Sequence, residues 1–283
     1  MTGFVLVDKP SGPTSHDVVA MIRRALGVRR VGHAGTLDPP ATGLVVVGVG
    51  PATRLLRFVQ RRTKSYATRG RLGVRTSTAD AAGEVLSSLP VDVSEDQLRA
   101  VLPSLTGEIL QVPPAVSAVK VAGVRSYKRA ARGEAVELAA RPVKVHELQL
   151  LAFEPPDFEL EVVCSSGTYV RSIVSDIGER LGCGAHVAEL RRTAIGDLRV
   201  EDAVAPADAG PQHVRPVRQV LTDLPVVELD RAAAVRAWAG QRLPEAAPDG
   251  EVLACCDSDT VGVFESREGV LHPVTVLPRP EES

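Results

Sequence analysis

The chain has 283 residues, which is long enough to bury a substantial core in one large domain or in two unequal ones. Its composition, 44% hydrophobic and 24% charged, is typical of a soluble globular protein, and no apolar run approaches the ~20 residues that span a bilayer. The four cysteines form no Cys-x-x-Cys pair, which argues against a disulfide framework and a structural zinc site. The first residues show no signal-peptide pattern, so we expect a cytoplasmic protein without a membrane anchor.

The N-terminal elements are a short strand and a helix. The apolar run Phe4–Val7 predicts a strand that ends at Asp8-Lys9-Pro10. Thr14 and Asp17 form a capping-box pair, which predicts that a helix begins there. Ser15-His16-Asp17 places three catalytic residue types side by side, but adjacent helical residues point in different directions. We therefore interpret these three residues as helix-cap residues.

A loop rich in Gly and Pro, Gly32–Gly43, comes next and leads into the apolar run Leu44–Val49, which predicts a buried strand. The only acid in the loop is Asp38, and Pro39 holds the backbone of Asp38 extended. This arrangement presents a carboxylate to a ligand. A capped turn, in which the aspartate accepts local backbone hydrogen bonds, also fits the pattern.

The middle of the chain alternates predicted helices and strands. Pro51 opens a helix through Gln60, and residues 64–73 are typical of a strand that carries Tyr66 on the same side as Leu72. Ser94 caps a further helix that ends near residue 105. The segment from residue 112 to 132 is less regular and includes a short basic helix near residues 127–132. We expect an excursion from the main sheet that grips a ligand.

Residues 158–164 alternate as in a half-buried strand, and Thr168 then caps an amphipathic helix. Arg171 lies in the first turn of that helix, where a cation opposes the helix dipole. The penalty is only ~0.3–1 kcal/mol at an exposed site, but it favours a carboxylate or phosphate partner for Arg171. Strands within residues 186–200 follow, then an Ala/Pro-rich connector at 203–219, and residues 224–280 predict a small unit of strands around one helix.

Four stretches of this chain resemble the TruB family of tRNA pseudouridine synthases, over roughly residues 3 to 200. The loop Gly32–Gly43 matches the family pattern Gly-His-x-Gly-x-Leu-Asp-Pro-x-Ala-x-Gly at every fixed position, although Pro40 is an unusual occupant of a variable site. The other matching stretches are Asp8–Ser15, Lys64–Tyr66 with Arg71–Gly73, and Cys164–Arg171.

The resemblance implies an α+β fold with a large mixed, mainly antiparallel sheet of the pseudouridine-synthase type and flanking helices. We expect a catalytic domain at residues 1–210, with an RNA-gripping insertion at about 106–152. Residues 224–280 are expected to form a small PUA-like β-barrel that binds RNA.

The function implied by the resemblance is isomerisation of the T-loop uridine, tRNA position 55, to pseudouridine. The nucleotide must be turned out of its stack, at a cost of a few kcal/mol. By resemblance His33 fills the vacated space, Tyr66 stacks on the uracil, Asp38 acts at the sugar or ring, and Arg171 contributes to the pocket. Two further groups are implied with less detail: Tyr169 and Leu190 line the pocket, and Lys9, Pro10 and Asp80 support it.

No cofactor or metal is needed for this isomerisation, and the sequence has no phosphate-binding glycine fingerprint or metal-ligand cluster. An unperturbed aspartate has a pKa near 3.9, and pairing with Arg171 would lower the pKa of Asp38 further. Asp38 is therefore expected to act as a nucleophile or base. Attack at C1′, addition at C6 and removal of the 2′ proton all remain open.

Charge supports an RNA partner. Residues 1–75 carry 13 Lys and Arg against 3 Asp and Glu, whereas residues 201–283 carry 7 against 15. A basic face of this kind suits a phosphate backbone, although a solvated face gives the same pattern. We expect a monomer that binds the T-arm of tRNA without an obligate protein partner. Two alternatives are a non-catalytic RNA-binding or RNA-folding protein on the same scaffold and a phosphate-ester hydrolase, which would want a second acid or metal ligand near Asp38.

Overall fold

The computed structural model describes residues 1–114, 116, 120–121, 124–125 and 138–279. The helices of this part of the chain are α1 (Ser15–Leu26), α2 (Leu56–Gln60), α3 (Glu95–Val101), α4 (Val170–Arg180), α5 (Val217–Val220) and α6 (Arg231–Trp238). The strands are β1 (Gly3–Lys9), β2 (Val31–His33), β3 (Thr42–Val49), β4 (Lys64–Leu72), β5 (Val74–Thr76), β6 (Val85–Ser88), β7 (Gly107–Gln111), β8 (Lys120–Val121), β9 (Val124–Arg125), β10 (Arg141–Glu154), β11 (Asp157–Cys164), β12 (Ala185–Ile195), β13 (Leu198–Arg199), β14 (Val226–Glu228), β15 (Leu243–Pro244), β16 (Gly250–Cys256), β17 (Asp259–Arg267) and β18 (Val270–Val276).

The chain divides into two compact units. The first unit comprises Met1–Pro39, Gly43–Arg61 and Asp197–Ser283, and the second comprises Pro40–Thr42 and Arg62–Gly196. Most of their strand pairs are antiparallel, whereas β14 and β16 run parallel. The fold is therefore α+β with mixed, mainly antiparallel sheet structure and flanking helices, as expected from the sequence. No helix among the described residues is long and apolar enough to cross a membrane.

The first unit begins with β1, which pairs antiparallel with β3, and β2 pairs antiparallel with β3 as well. Both long strands are apolar along nearly their whole length because both of their faces are buried. Helix α1 begins with the predicted capping box between Thr14 and Asp17 and ends at Gly27, whose φ of 64° suits glycine. Its buried side, which includes Val18 and Ile22, holds the helix in place.

The predicted connector is bonded to β1. Phe4 and Arg215 exchange both backbone hydrogen bonds, at 2.9 and 2.7 Å. The backbone N–H of Val204 donates to the carbonyl of Leu6 at 3.0 Å, and its carbonyl accepts from Asp8 at 2.9 Å. Residues 203–219 therefore protect a strand edge in addition to linking two parts of the chain.

The C-terminal part of the first unit is a five-stranded sheet in the order β14-β16-β17-β18-β15 with α6 packed on it. Helix α6 and the strands β14, β16, β17 and β18 lie where the sequence predicted a strand near residue 226, a helix and three further strands, whereas β15 was not predicted. The core includes Ala234, Val252, Phe264 and Leu271. The PUA-like identity of this part and the predicted domain division stay predictions.

The second unit is built on the strand order β12-β4-β11-β10-β7, with every neighbour antiparallel. The strands at residues 107–111 and 141–154 belong to this sheet, and all but the last two of these residues lie inside the range predicted as an insertion. The short basic helix predicted near residues 127–132 lies outside the described residues. Helix α4 approaches the sheet closely at Gly178, where an added Cβ would come within 2.1 Å of the Ala185 nitrogen.

Candidate active site

Asp38 is half-buried in the loop between β2 and β3, and the backbone on its C-terminal side is fixed by a buried cation. The ammonium of Lys9, which has no exposed surface, donates to the carbonyls of Pro10 and Pro13 at 2.9 Å and to that of Pro39 at 3.0 Å. A lysine this deeply buried is tolerated when its donors are satisfied. The expected supporting role of Lys9 therefore has a geometric basis: it ties the end of β1 to the residue after Asp38.

The same loop is bonded at two further points, to the segment before α1 and to the first residue of α1. The N–H of Gly12 donates to the Pro39 carbonyl at 2.9 Å. The N–H of Leu37 donates to the Ser15 hydroxyl at 2.8 Å, and that hydroxyl lies 3.2 Å from the Leu37 carbonyl. The interpretation of Ser15 as a helix-cap residue was wrong, because Thr14 supplies the cap. Sequence reasoning missed the role of Ser15, since its position beside a cap gives no sign of a contact 22 residues away.

His33 lies at the end of β2, five residues before Asp38, and is half-buried. Its ring meets the ring of His16 edge to face, with centroids 5.2 Å apart and an interplanar angle of 77°. Of the residues predicted for the site, the first unit therefore carries Lys9, Pro10, His33 and Asp38 on one strand end and one loop.

The second unit carries Tyr66, Asp80, Tyr169, Arg171 and Leu190. Tyr66 is buried on β4, where the side chains of alternate residues share a face. Arg192 of β12 lies directly opposite Tyr66, and Leu190 lies opposite Thr68, the next residue on that face. Directly opposite residues point to the same side of a sheet, so Tyr66 and the half-buried Leu190 share one surface.

Arg171 is 3% exposed in the first turn of α4. Its guanidinium donates to the carbonyls of Thr78 at 2.7 Å and Val116 at 2.9 Å, and it lies 3.5 Å from a carboxylate oxygen of Asp80. The sequence predicted a carboxylate or phosphate partner for Arg171, and within the second unit Asp80 is a carboxylate partner of it. The Thr78 hydroxyl donates to the other Asp80 oxygen at 2.6 Å, which fixes the carboxylate that faces Arg171.

Tyr169 immediately precedes α4, and a buried side chain holds it there. The amide of Gln111, at the end of β7, accepts from the Tyr169 N–H at 2.8 Å and donates to its carbonyl at 3.0 Å. The Ser172 hydroxyl donates to the Val112 carbonyl at 2.8 Å. Sequence reasoning missed Gln111 because an isolated glutamine on a strand carries no local signal of this bidentate contact.

Three buried cations lie near the start of β4. Lys64, Arg62 and Arg192 are at most 8% exposed, and the Lys64 ammonium donates to the Arg62 carbonyl at 2.6 Å. Burial, and then the positive charges of Arg192 and Arg62, lower the pKa of Lys64 to about 8. Burial likewise raises the pKa of the Cys164 thiol, opposite Lys64 on β11, to about 11. The period-two alternation of β4 is the sequence signal that could have assigned Lys64 to the face of Tyr66.

The described residues contain no group of three or more His, Cys, Asp or Glu side chains that could hold a metal ion. What they offer for chemistry in the first unit is one carboxylate on a braced loop. In the second unit they offer an aromatic and apolar surface, a fixed Arg171–Asp80 pair and buried positive charge.

Comparison with known proteins gives matches over nearly the whole chain. Residues 23–170 match the model of the TruB family pseudouridylate synthase N-terminal domain, and residues 171–208 match that of the tRNA pseudouridylate synthase B C-terminal domain. The chain is 46% identical over 287 residues to tRNA pseudouridine synthase B of Thermobifida fusca, with 97% of this chain and 98% of that protein covered. It is 41% identical over 295 residues to the protein of that name from Mycobacterium tuberculosis strain H37Rv, with 98% of each covered.

Two solved structures are similar in fold. The first is an H/ACA RNP bound to a substrate RNA containing 2′-deoxyuridine, with a TM-score of 0.75, 25% identity and coverage of 99% of this chain and 86% of that chain. The second is a Cbf5-Nop10-Gar1 complex, with a TM-score of 0.74, 26% identity and coverage of 98% and 85%.

Proposed function

Because the chain belongs to the TruB family of tRNA pseudouridine synthases, we propose that it isomerises the T-loop uridine at tRNA position 55, with Asp38 as the essential catalytic carboxylate. The chain is an isomerase that acts on RNA. One observation carries the assignment of Asp38: the backbone is hydrogen-bonded at both of its neighbours. Leu37 is bonded through its N–H and its carbonyl to the buried Ser15 hydroxyl, and the Pro39 carbonyl accepts from the Lys9 ammonium and the Gly12 N–H. A carboxylate held in this way is preorganised for chemistry.

The reaction breaks the N1–C1′ glycosidic bond, turns the freed base and joins C5 to C1′. C5 then loses its hydrogen as a proton, and N1 takes a proton up, so atoms and electrons balance without an oxidant or reductant. Asp38 can act by attack at C1′, by addition at C6 or by removal of the proton on C2′. Deuterium at C2′ of the target nucleotide would slow the third route and leave the other two unchanged.

The target base must leave its stack before it reacts, and the site residues divide this work. His33 fills the space that the base vacates, Tyr66 stacks on the extruded uracil, and Tyr169 and Leu190 line the pocket with it. The shared face of Tyr66 and Leu190 supports this division, because stacking and apolar lining then come from one surface. The Arg171–Asp80 pair braces the start of α4, next to Tyr169.

The partner in this proposal is the T-arm of tRNA, and residues 224–280 strengthen its binding as a PUA-like unit. The protein acts as a monomer in the cytoplasm and needs no obligate protein partner. The relatives from Thermobifida fusca and Mycobacterium bovis strain BCG match 97% and 98% of this chain, and both are named tRNA pseudouridine synthase B, which supports tRNA as the substrate of this chain as well. Light scattering gives the molar mass of the protein alone and with one equivalent of T-arm RNA, and we expect the masses of one chain and of one chain with one RNA.

The deciding experiment is release of tritium from a T-arm stem-loop labelled at C5 of its uridines. We expect one equivalent of release per RNA, and none from an RNA in which the uridine at position 55 is replaced by cytidine. Release from both RNAs would mean that the site is misassigned. Tight binding without release from either would favour the alternative, a non-catalytic RNA-binding protein.

A further inference from the structure

Ser15 occupies an unusual place for a residue at the start of a helix. It is the first residue of α1 and has no exposed surface, yet its hydroxyl does not cap the helix. The cap is supplied by Thr14, whose side chain accepts from the N–H of Asp17. The hydroxyl of Ser15 instead faces Leu37, the residue immediately before Asp38.

The contact uses both polar groups of the Leu37 backbone. The Leu37 N–H donates to the Ser15 hydroxyl at 2.8 Å, and the hydroxyl donates to the Leu37 carbonyl at 3.2 Å. That carbonyl belongs to the peptide group that carries the N–H of Asp38. Both peptide planes around Leu37 are therefore fixed by one side chain.

The other side of Asp38 is held by different groups. The carbonyl of Pro39 accepts from the Gly12 N–H at 2.9 Å and from the Lys9 ammonium at 3.0 Å. The residues on both sides of Asp38 are therefore held by hydrogen bonds, and the contact with Ser15 is the one that ties the loop to a helix. Because α1 is anchored by a buried apolar face, the position of its first residue is well defined.

We propose that Ser15 is a positioning residue for the isomerisation, which sets the backbone on the N-terminal side of Asp38 and thereby the direction of its carboxylate. The inference rests on the proposed role of Asp38. A displacement of about 1 Å at a reacting group can lower a rate by about a hundredfold, so loss of a two-point contact one residue away should be visible in turnover.

The test compares Ser15→Ala and Ser15→Cys with wild type. The cysteine variant still fills the site, with a slightly larger atom, but weakens both hydrogen bonds, since a thiol is a poor donor and acceptor. We expect Ser15→Ala to lower the single-turnover rate at saturating T-arm RNA by about tenfold to a hundredfold, with Kd within about twofold of wild type. Ser15→Cys should also be slow. A wild-type rate for Ser15→Cys would mean that volume alone matters and would overturn the proposal.

A matched control is Thr14→Ala, which removes the neighbouring hydroxyl and the helix cap but leaves the Leu37 contact. It should lower the thermal midpoint while the saturated rate stays within about threefold of wild type, because cap removal acts on stability. If Thr14→Ala slows turnover as much as Ser15→Ala, the effect is one of helix stability, and Ser15 has no special role.

Amide hydrogen exchange at Leu37 separates this inference from the proposed function. In wild type the Leu37 N–H should exchange slowly, and in Ser15→Ala faster by at least about tenfold, whether or not Asp38 is catalytic. Fast exchange in wild type refutes the contact itself, even if Ser15→Ala does not fold. If the exchange rates are as expected but Asp38→Asn forms pseudouridine at the wild-type rate, the contact between Ser15 and Leu37 is supported and the catalytic role of Asp38 is refuted.

Discussion

Two regions of the first unit are held by cations bonded to backbone carbonyls, and they differ in burial. At the loop of Asp38, the ammonium of Lys9 has no exposed surface and satisfies three carbonyls. On α2 and the turn before it, Arg54 donates to the Val276 carbonyl at 3.0 Å and Arg57 to the Val274 carbonyl at 3.2 Å, and both arginines are exposed.

The difference shows what burial does to the same kind of contact. In a low-dielectric interior, a hydrogen bond from a cation is strong and its loss leaves carbonyls without partners. On the surface, water and salt compete for both groups, and such contacts contribute little each. The loop of Asp38 is therefore expected to be rigid and insensitive to salt, whereas the attachment of α2 to β18 is expected to be weak and adjustable.

The largest effect concerns the group that the rigid loop carries. Asp38→Asn keeps the volume of the side chain and removes its charge, so we expect turnover to fall more than a hundredfold while T-arm RNA still binds. Single-turnover pseudouridine formation and thermal unfolding of the same preparation measure both quantities. If more than about a hundredth of the rate remains, less than ~3 kcal/mol of the barrier depends on the carboxylate, and Asp38 is not the essential group.

Next in size is the loss of the buried cation. Lys9→Met keeps the apolar stem and removes three hydrogen bonds from an ammonium, so we expect a loss of about 2–4 kcal/mol in the free energy of unfolding. Urea unfolding measures it, at low and high salt, and the loss should be the same at both. Lys144→Met, at an exposed lysine of β10, is the matched control and should change stability by less than about 0.5 kcal/mol. An equally small effect of Lys9→Met would remove the distinction between the two regions.

Loss of the exposed arginines that bind the C-terminal sheet should reduce stability less than loss of Lys9, and by an amount that depends on salt. Arg61 also contributes, through an ion pair with Glu251. Replacing Arg54, Arg57 and Arg61 together by Ala should lower the free energy of unfolding of the C-terminal sheet by about 1–2 kcal/mol at low salt and by less at high salt. The only tryptophan of the chain, Trp238, lies on α6 beside the C-terminal sheet, so its fluorescence reports that part alone.

In wild type we expect the fluorescence and far-ultraviolet circular dichroism transitions in urea to coincide. In the triple variant the fluorescence transition should move to lower urea and separate from the other. Arg24→Ala, at an exposed arginine of α1, is the single-site control. Coincident transitions in the triple variant would show that the apolar core, and not the arginines, holds the C-terminal sheet.

The smallest expected effect concerns the stability contributed by a half-buried acid, Asp176 on α4, and again depends on how far burial removes a charge from water. Burial, and then the charge of Glu179, raise the pKa of Asp176 from 3.8 to about 6. The folded protein therefore binds more protons than the unfolded chain between about pH 4 and 6, and its stability falls as pH rises through that window. Asp176→Asn should raise the thermal midpoint by roughly 1–3 °C at pH 7.5 and change it little at pH 4. A midpoint lowered at pH 7.5 would mean that the charged carboxylate stabilises α4.

Much of the fold could be read from local patterns. The capping box of α1, the alternation that buries Tyr66 on β4 and the apolar face of α4 all lie where the sequence predicted them. The placement of Arg171 against the helix dipole predicted a carboxylate or phosphate partner, and the carboxylate of Asp80 is such a partner. These features depend on neighbours within a few residues, and spacing in the sequence therefore reveals them.

Most helices and strands, the loop that carries Asp38 and the family resemblance follow from patterns in the amino-acid sequence. Which polar side chains are buried, and what they bind, depends on tertiary contacts: Lys9 and Ser15 hold the loop, Gln111 holds Tyr169, and Lys64 lies beside Arg192. A serine at the start of a helix serves equally well as a cap, and a glutamine on a strand as a solvated side chain. Only the approach of chain segments far apart in sequence removes water from such groups and leaves one partner in reach, and no local pattern encodes that approach.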